Sequence, residues 1–186
     1  MMKLQNHLLI AMPNMGDDYF QRSVIYLCEH SDKGTMGLVL NQPTDLSIAE
    51  LVAKLHFMMS SDRTFPDKCV LAGGPVNGEH GFILHTPTDH PFQHSFKITD
   101  RIILTTSADI IDTFGTPHAP EKYLVALGCA AWTPNQLERE IAENSWLVMP
   151  ADERIMFETP YEERWIEAQK VLGFDSYNLA SQAGHC

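Results

Sequence analysis

Short apolar runs separated by polar turns dominate the hydrophobic pattern of this chain. Near-continuous apolar runs at 23–29 and 123–130 are typical of strands covered on both faces. Segments 23–29 and 36–42 are expected to pair as antiparallel neighbours, because a short polar turn at 32–34 joins them. The same pattern predicts further strands at 7–11, 35–42, 69–73, 81–86, 101–105, 145–149 and 154–157.

Capping residues mark the helices. Ser47, with Glu50 three residues later, predicts a capping box that opens a helix over Ile48–Leu55. Ser107 is expected to cap a second helix, with Asp109 in its first turn, where the helix dipole favours an acid. Proline at the first helical position predicts two more helices, over 134–144 and 160–173.

The order of these elements indicates the fold class. Strands outnumber helices and do not alternate with them one for one, which favours an α+β fold with a mixed sheet. No repeat or linker divides the chain, so we expect a single domain over 1–186 with a loosely structured tail at about 175–186.

Composition places the chain among soluble globular proteins, with 44% apolar and 20% charged residues. The apolar run 8–12 is too short to span a bilayer and lacks a signal-peptide cleavage site, so no membrane association is expected. The cysteines form no C-x-x-C pair, which is typical of a reduced, cytoplasmic protein. They are Cys28, Cys69, Cys129 and Cys186.

Glycine-bearing segments at 37–43, 71–76 and 127–132 are the most distinctive motifs of the sequence. With the segments around them, they resemble the YqgE/AlgH family of bacterial proteins over almost the whole chain. The matching stretches, in chain order, are 9–13, 22–30, 36–43, 72–76, 81–86, 105–107, 136–138, 144–147 and 164–165.

The resemblance implies a cytoplasmic α+β protein with a strongly bent, partly barrel-like mixed sheet flanked by helices. Most members of the family carry no assigned biochemical activity, and one branch is named as a transcriptional regulator of alginate production. Our leading interpretation is therefore a non-enzymatic protein that binds a protein or small-molecule partner and has an indirect role in transcriptional regulation.

Candidate ligand-binding residues lie where apolar runs end. Asn41 could present its carboxamide to a ligand, although Asn before Gln42-Pro43 is also favoured in a simple turn. Gly73 and Gly74 could expose backbone N–H groups to an anion, but a structural turn that demands positive φ is the stronger interpretation.

A second group of candidates follows the run at 101–105. Thr105, Thr106 and Ser107 end a strand at a helix N-terminus, where anions collect, although capping alone would explain Ser107. Trp132 could form the aromatic wall of a pocket. Glu138 and Glu140 are expected on the solvated face of their helix.

His85 is the central residue of an alternative interpretation, in which the protein is an enzyme. An enzyme of unknown reaction would build its cleft from Asn41, Gly74, His85 and Thr106. A structural, hydrogen-bonded histidine is the competing interpretation. Cys28 and His30 share a strand face, but two ligands do not make a zinc site. The sequence therefore predicts no catalytic residue, no cofactor and no metal site.

The acidic charge predicts that the protein does not bind duplex DNA directly. The formal net charge is −11, and the 13 basic residues form no cluster in sequence. A sequence-specific complex typically has a Kd on the order of 10⁻⁸ M and several phosphate contacts made by Lys and Arg. In a fluorescence anisotropy titration at physiological salt, we expect no tight complex with promoter DNA. Salt-sensitive binding that resists competitor DNA would contradict this prediction.

Overall fold

The computed structural model describes residues 3–55 and 68–173. The strands are β1 (His7–Ala11), β2 (Val24–Ser31), β3 (Gly34–Val39), β4 (Pro43–Ser47), β5 (Cys69–Ala72), β6 (Val76–His85), β7 (Ser95–Lys97), β8 (Ile103–Thr105), β9 (Tyr123–Trp132) and β10 (Trp146–Pro150). The α-helices are α1 (Ile48–Leu55), α2 (Gln136–Ala142) and α3 (Arg164–Val171). Shorter helical turns cover Ala108–Thr113, Arg154–Glu158 and Tyr161–Glu163.

The chain divides into two compact units. Among the described residues, one is formed by 3–42 together with 130–173, and the other by 43–55 together with 68–129. Strand β9 contributes residues to both. The single domain over 1–186 stays a prediction, and the predicted tail at 175–186 lies outside the described residues, as does Cys186.

The first unit is built on antiparallel strands. Strands β2 and β3 form a hairpin with Ser31 opposite Gly34, so the predicted pairing of 23–29 with 36–42 is confirmed. Strand β1 lies between β10 and β2, and β3 pairs on its other edge with the end of β9. The buried side chains of this sheet form one core cluster with Leu137 of α2.

Helix α3 is joined to this sheet by buried donors. The Trp165 indole Nε1–H donates to the Ala11 carbonyl oxygen at 2.8 Å. The Arg164 guanidinium donates to the carbonyl oxygens of Leu40 and Thr159. Arg164 is only 3% exposed, and burial lowers the pKa of its guanidinium to about 10. These bonds give buried carbonyl groups of the strand ends the partners that they require.

The second unit is arranged around β9. Strand β5 pairs with β9 in parallel, with Leu71 opposite Ala126, whereas β6 pairs with β9 antiparallel, with Phe82 opposite Ala126. Strand β8 continues the sheet from β6, and β7 pairs with β8. Because parallel and antiparallel pairs occur together, the predicted mixed sheet and the α+β class are confirmed.

The core of the second unit joins α1 to the helical turn at Ala108–Thr113. Phe114 and Tyr123 stack at its centre with ring centroids 4.2 Å apart. Ile48 and Val52 of α1 reach the same cluster. Helix α1 has the predicted bounds, and the Glu50 N–H donates to Ser47 Oγ at 3.0 Å, as the predicted cap requires.

The prediction for 154–157 was wrong. These residues form a wide helical turn, Arg154–Glu158, in which Ile155, Met156 and Phe157 are all buried. A strand would have pointed successive side chains to opposite faces. The turn is closed by Thr159, whose N–H and hydroxyl both donate to the Arg154 carbonyl oxygen at 2.9 Å.

Two other boundaries differ from the prediction. Helix α2 begins at Gln136 and not at Pro134, because Asn135 has a left-handed φ of 67° that no helical residue adopts. Strands β4 and β7 were not predicted, since β4 begins with proline and all three residues of β7 are exposed. Cys28 and Cys129 are buried strand thiols.

No helix within the described ranges is long and apolar enough to span a bilayer.

Candidate functional site

A pocket in the first unit brings three aromatic side chains together with one carboxylate. It has a volume of about 220 Å³. Trp132 lies at the end of β9, Trp146 at the start of β10, and Phe20 in the segment that precedes β2. Trp132 therefore lines a pocket, as the sequence suggested. The lining residues are Met15, Gly16, Asp17, Phe20, Ala131, Trp132, Gln136, Glu140, Ser145 and Trp146.

Glu140 organises this pocket from helix α2. Its Oε1 accepts the indole N–H of Trp132 at 3.2 Å and that of Trp146 at 3.0 Å. Its Oε2 accepts the Gln136 side-chain amide at 2.9 Å. Glu140 was expected on a solvated face; it is half-buried, and both tryptophans direct their indole N–H donors at its carboxylate.

The three rings contact one another around the carboxylate. The Phe20 ring is roughly parallel to that of Trp132 at 6.5 Å and edge-on to that of Trp146 at 5.9 Å. The two indoles are edge-on at 6.3 Å. Asp17 adds a second carboxylate to the lining, and its Oδ1 accepts the N–H of Tyr19 and of Phe20. Two turn bonds thus fix the loop that carries Phe20.

Within residues 3–55 and 68–173 the two carboxylates of this pocket have no counter-ion. Across the parts of the chain that the structure describes, no Lys, Arg or His forms an ion pair with Glu140 or Asp17. Two carboxylates thus line a pocket together with three aromatic rings, whose faces attract cations. The pocket is suited to a positively charged group.

Glu138, the other acid of α2, binds the His30 imidazole. Leu4 N–H donates to His30 Nδ1 at 3.1 Å, so Nε2 carries the proton and donates to Glu138 Oε1 at 2.5 Å. This hydrogen bond lowers the pKa of the Glu138 carboxyl. Glu138 was expected on a solvated face; its side chain is 35% exposed and also reaches His30. Cys28, which the sequence places on the same strand face as His30, has its Sγ 4.0 Å from the Tyr26 carbonyl oxygen.

Asn41 has a structural role in the first unit. Its Oδ1 accepts the Val24 N–H at 3.0 Å, and its Nδ2 donates to the Arg22 carbonyl oxygen at 2.8 Å. The carboxamide thus forms hydrogen bonds with backbone groups at the start of β2, as a neighbouring strand would. It lines a broad groove of about 830 Å³ in which the Arg22 guanidinium lies 5.5 Å from the centre of the Trp165 ring.

His85 and Thr105 are internal to the second unit. His85 is 1% exposed, with Nδ1 at 2.8 Å from the Thr86 carbonyl oxygen and Nε2 at 2.7 Å from Thr105 Oγ1. The carbonyl can only accept, so Nδ1 carries the proton. Burial lowers the pKa of the imidazole. His85 is the hydrogen-bonded structural histidine of the competing interpretation.

Thr106 and Ser107 border a separate, mostly apolar cavity of about 280 Å³ in the second unit. Ser107 does not cap the turn that follows, contrary to the prediction. Its Oγ instead donates to Asp109 Oδ1 at 2.5 Å and accepts the His94 N–H. Asp109 Oδ2 accepts the Gln93 N–H, so these side chains fasten the 87–94 loop. Glu79 in the lining disfavours an anion there.

Gly73 and Gly74 serve close backbone packing. The Gly73 N–H donates to the Leu127 carbonyl oxygen at 2.8 Å and is therefore not directed at an anion. A Cβ at Gly73 would lie 2.3 Å from the Gly128 carbonyl oxygen, and one at Gly128 would lie 2.5 Å from that of Gly74. Gly74 has a φ of 153°, which agrees with the predicted structural turn.

Within the second unit, Gly74, His85 and Thr106 do not form the cleft of the enzymatic alternative. In the second unit, His85 is enclosed and Gly74 packs on Gly128, and neither lines the cavity beside Thr106. Asn41 belongs to the first unit. Outside all these sites, the structure brings three possible metal ligands together at Asp89, His90 and His118.

Comparison with protein families gives one match over nearly the whole chain. The model of a family described as AlgH-like matches residues 8–177. A UPF0301 protein of Pasteurella multocida (strain Pm70) is 69% identical over 186 residues and covers 100% of both chains. A UPF0301 protein of Haemophilus influenzae (strain PittEE) is 56% identical over the same length and coverage.

Two solved structures share the fold. The solution structure of the AlgH protein from Pseudomonas aeruginosa matches with a TM-score of 0.76 and 38% identity, over 98% of this chain and 96% of that one. A crystal structure of a Corynebacterium diphtheriae protein matches with a TM-score of 0.74 over 92% and 88%, at 21% identity, and so supports the fold alone.

Replacing Gly73 tests its structural role. Gly73→Ala should lower the free energy of unfolding by at least about 1–3 kcal/mol, because the added methyl group meets a backbone oxygen that cannot move aside. Gly78→Ala is the matched control. A Cβ there meets nothing within 4 Å, so its effect should stay below about 1 kcal/mol. Urea denaturation measures both, and equal stabilities would contradict the assignment.

Stability should depend on pH through His85. Its folded pKa is lowered by burial, whereas the unfolded chain takes up this proton near pH 6.5. The unfolded state therefore binds more protons as the pH falls below about 6.5, and the free energy of unfolding decreases until the folded pKa is passed. Urea denaturation at pH 7, 6 and 5 should show this decrease.

The matched variants isolate the contribution of one histidine. His85→Asn should flatten the decrease between pH 7 and 5, whereas His80→Asn, at an exposed position of β6, should keep the wild-type slope. An unchanged slope in His85→Asn would contradict the buried neutral imidazole.

Proposed function

This chain belongs to the AlgH-like family, and we propose that it acts as a non-enzymatic binding protein whose ligand presents a small positively charged group. The binding site is the pocket formed by Phe20, Trp132, Trp146, Asp17 and Glu140. We name it the aromatic pocket.

The two indoles that converge on Glu140 are the observation that carries this proposal. A carboxylate at this position gives the pocket a negative charge, and its two indole hydrogen bonds set the positions of both rings. The charge that attracts a cation and the rings whose faces contact it are thus fixed by one side chain.

The size of the pocket limits the ligand. About 220 Å³ accommodates an ammonium, a methylated ammonium or a similar head group, and not a nucleotide or a large cofactor. A cation on an aromatic face gains roughly 0.5–1 kcal/mol at exposed sites and about 2 kcal/mol when desolvated. Several rings together with Glu140 could therefore hold a small cation at useful affinity.

The cellular role that we propose is cytoplasmic and indirect. The net charge of −11 disfavours duplex DNA, so an effect on transcription would act through a protein or through the bound ligand. The structural relative from Pseudomonas aeruginosa bears the name AlgH protein. The scattered cysteines support a reducing compartment.

The contacts weigh against the enzymatic alternative. The Asn41 carboxamide is engaged by two backbone groups, and both ring nitrogens of His85 are hydrogen-bonded in the interior. Neither side chain offers a group with which a substrate could exchange a proton.

A matched pair of ligands tests the charge requirement. Choline and its neutral analogue 3,3-dimethylbutan-1-ol differ chiefly by one positive charge. Isothermal titration calorimetry of the full chain should show choline binding at least about tenfold more tightly than the neutral analogue, which corresponds to about 1.4 kcal/mol. Tryptophan fluorescence should change on binding, because two indoles line the pocket.

A variant of Glu140 connects this binding to the pocket. In Glu140→Gln the amide oxygen can still accept both indole N–H groups while the charge is lost, so choline affinity should fall about tenfold or more. Glu143→Gln removes the same charge from an exposed position just after α2 and should bind like the wild type. Equal affinity for both ligands, or an unaffected Glu140→Gln variant, would refute the proposal.

A further inference from the structure

Two loops of the second unit bring three metal-ligating side chains together. Asp89 and His90 lie in the loop after β6, and His118 lies in the loop before β9. Asp89 Oδ2 is 3.4 Å from His118 Nδ1 and 3.8 Å from His90 Nε2. One ligating atom from each residue falls within 4.8 Å of the others, and all three residues are exposed.

The two loops are joined at their base. The Thr86 N–H donates to the Lys122 carbonyl oxygen at 3.0 Å, and the Lys122 N–H donates to Thr86 Oγ1 at 3.1 Å. These two hydrogen bonds lie next to the pairing of His85 with Tyr123 in the sheet. The two loops that carry the ligating side chains therefore start from neighbouring strands, β6 and β9, whose spacing the sheet fixes.

Local turns and prolines limit the conformations of both loops. Thr88 Oγ1 donates to the His90 carbonyl oxygen at 2.7 Å, and the His118 N–H donates to Thr116 Oγ1 at 3.2 Å. Prolines fix φ near −65° next to the ligands, which reduces the entropy lost when a site orders. They stand at 87, 91, 117 and 120.

The donor set has the chemistry of a transition-metal site. Imidazole nitrogen and carboxylate oxygen bind Zn²⁺ at about 2.0–2.2 Å, so neighbouring ligands of a tetrahedral ion are about 3.4 Å apart. The observed separations of 3.4 and 3.8 Å approach this value before any ion binds. We propose that Asp89, His90 and His118 form a binding site for Zn²⁺ or a similar divalent transition metal.

A hydrogen bond between His118 and Asp89 explains the cluster of three side chains less well than a metal site does. The hydrogen bond from His118 lowers the pKa of the Asp89 carboxyl, yet at 3.4 Å it is longer than the 2.7–2.9 Å of a strong charge-assisted bond. The ring centres of His90 and His118 lie 5.7 Å apart, and both side chains stay exposed, so ring packing does not explain their approach. Three protein ligands also leave a coordination position for water or for a group of a partner.

Zinc titration of the full chain tests the site. Isothermal titration calorimetry with ZnCl₂ in a non-chelating buffer should detect a site that is weakened on the order of 10- to 100-fold in His90→Ala, His118→Ala and Asp89→Asn. His80→Ala removes another exposed imidazole, from β6, and should leave the affinity unchanged. Circular dichroism confirms that each variant is folded.

A spectroscopic measurement identifies the ligating atoms. Long-range ¹H–¹⁵N correlation spectra of the histidine side chains should show that Zn²⁺ shifts Nε2 of His90 and Nδ1 of His118, and not the nitrogens of His80. Zinc binding that is unaffected by all three variants, or no binding up to millimolar zinc, would overturn the proposal.

Discussion

Two glycines let the backbone that follows β5 lie directly against β9. Gly73 and Gly128 approach so closely that a methyl group at Gly73 would lie 2.3 Å from a carbonyl oxygen. Parallel β5 and antiparallel β6 then meet on opposite sides of Ala126. The close packing of Gly73 on Gly128 thus sets where the chain leaves β5 beside β9 in the second unit.

The fold was largely predictable where the signal is local. Strand β2, strand β3 and helix α1 follow from continuous apolar runs, a short polar turn at 32–34 and a capping serine at Ser47. The prediction failed at 154–157, because a short apolar run is compatible with either a strand or a buried helical turn. Here the helical turn is closed by two hydrogen bonds from Thr159 to the Arg154 carbonyl oxygen, and apolar periodicity does not reveal such a contact.

The site was much less predictable, for a physical reason. Trp132 could be proposed as a pocket wall, but the sequence places Glu138 and Glu140 on the polar side of α2 and gives no sign that they are bonded. The donor to Glu138 is His30, 108 residues earlier in the chain. Asp89 and His118 are separated by 29 residues. Side chains brought together by sheet pairing leave no short-range pattern, whereas a capping box or a hairpin does.

The hydrogen bonds of Glu140 also separate binding from catalysis. A general base needs a lone pair directed at the proton that it abstracts, and Glu140 directs Oε1 at two indoles and Oε2 at Gln136. Its negative charge still acts through space on whatever enters the pocket. The same contacts that disqualify Glu140 as a base therefore make it a fixed electrostatic partner, which is the property that a cation-binding site requires.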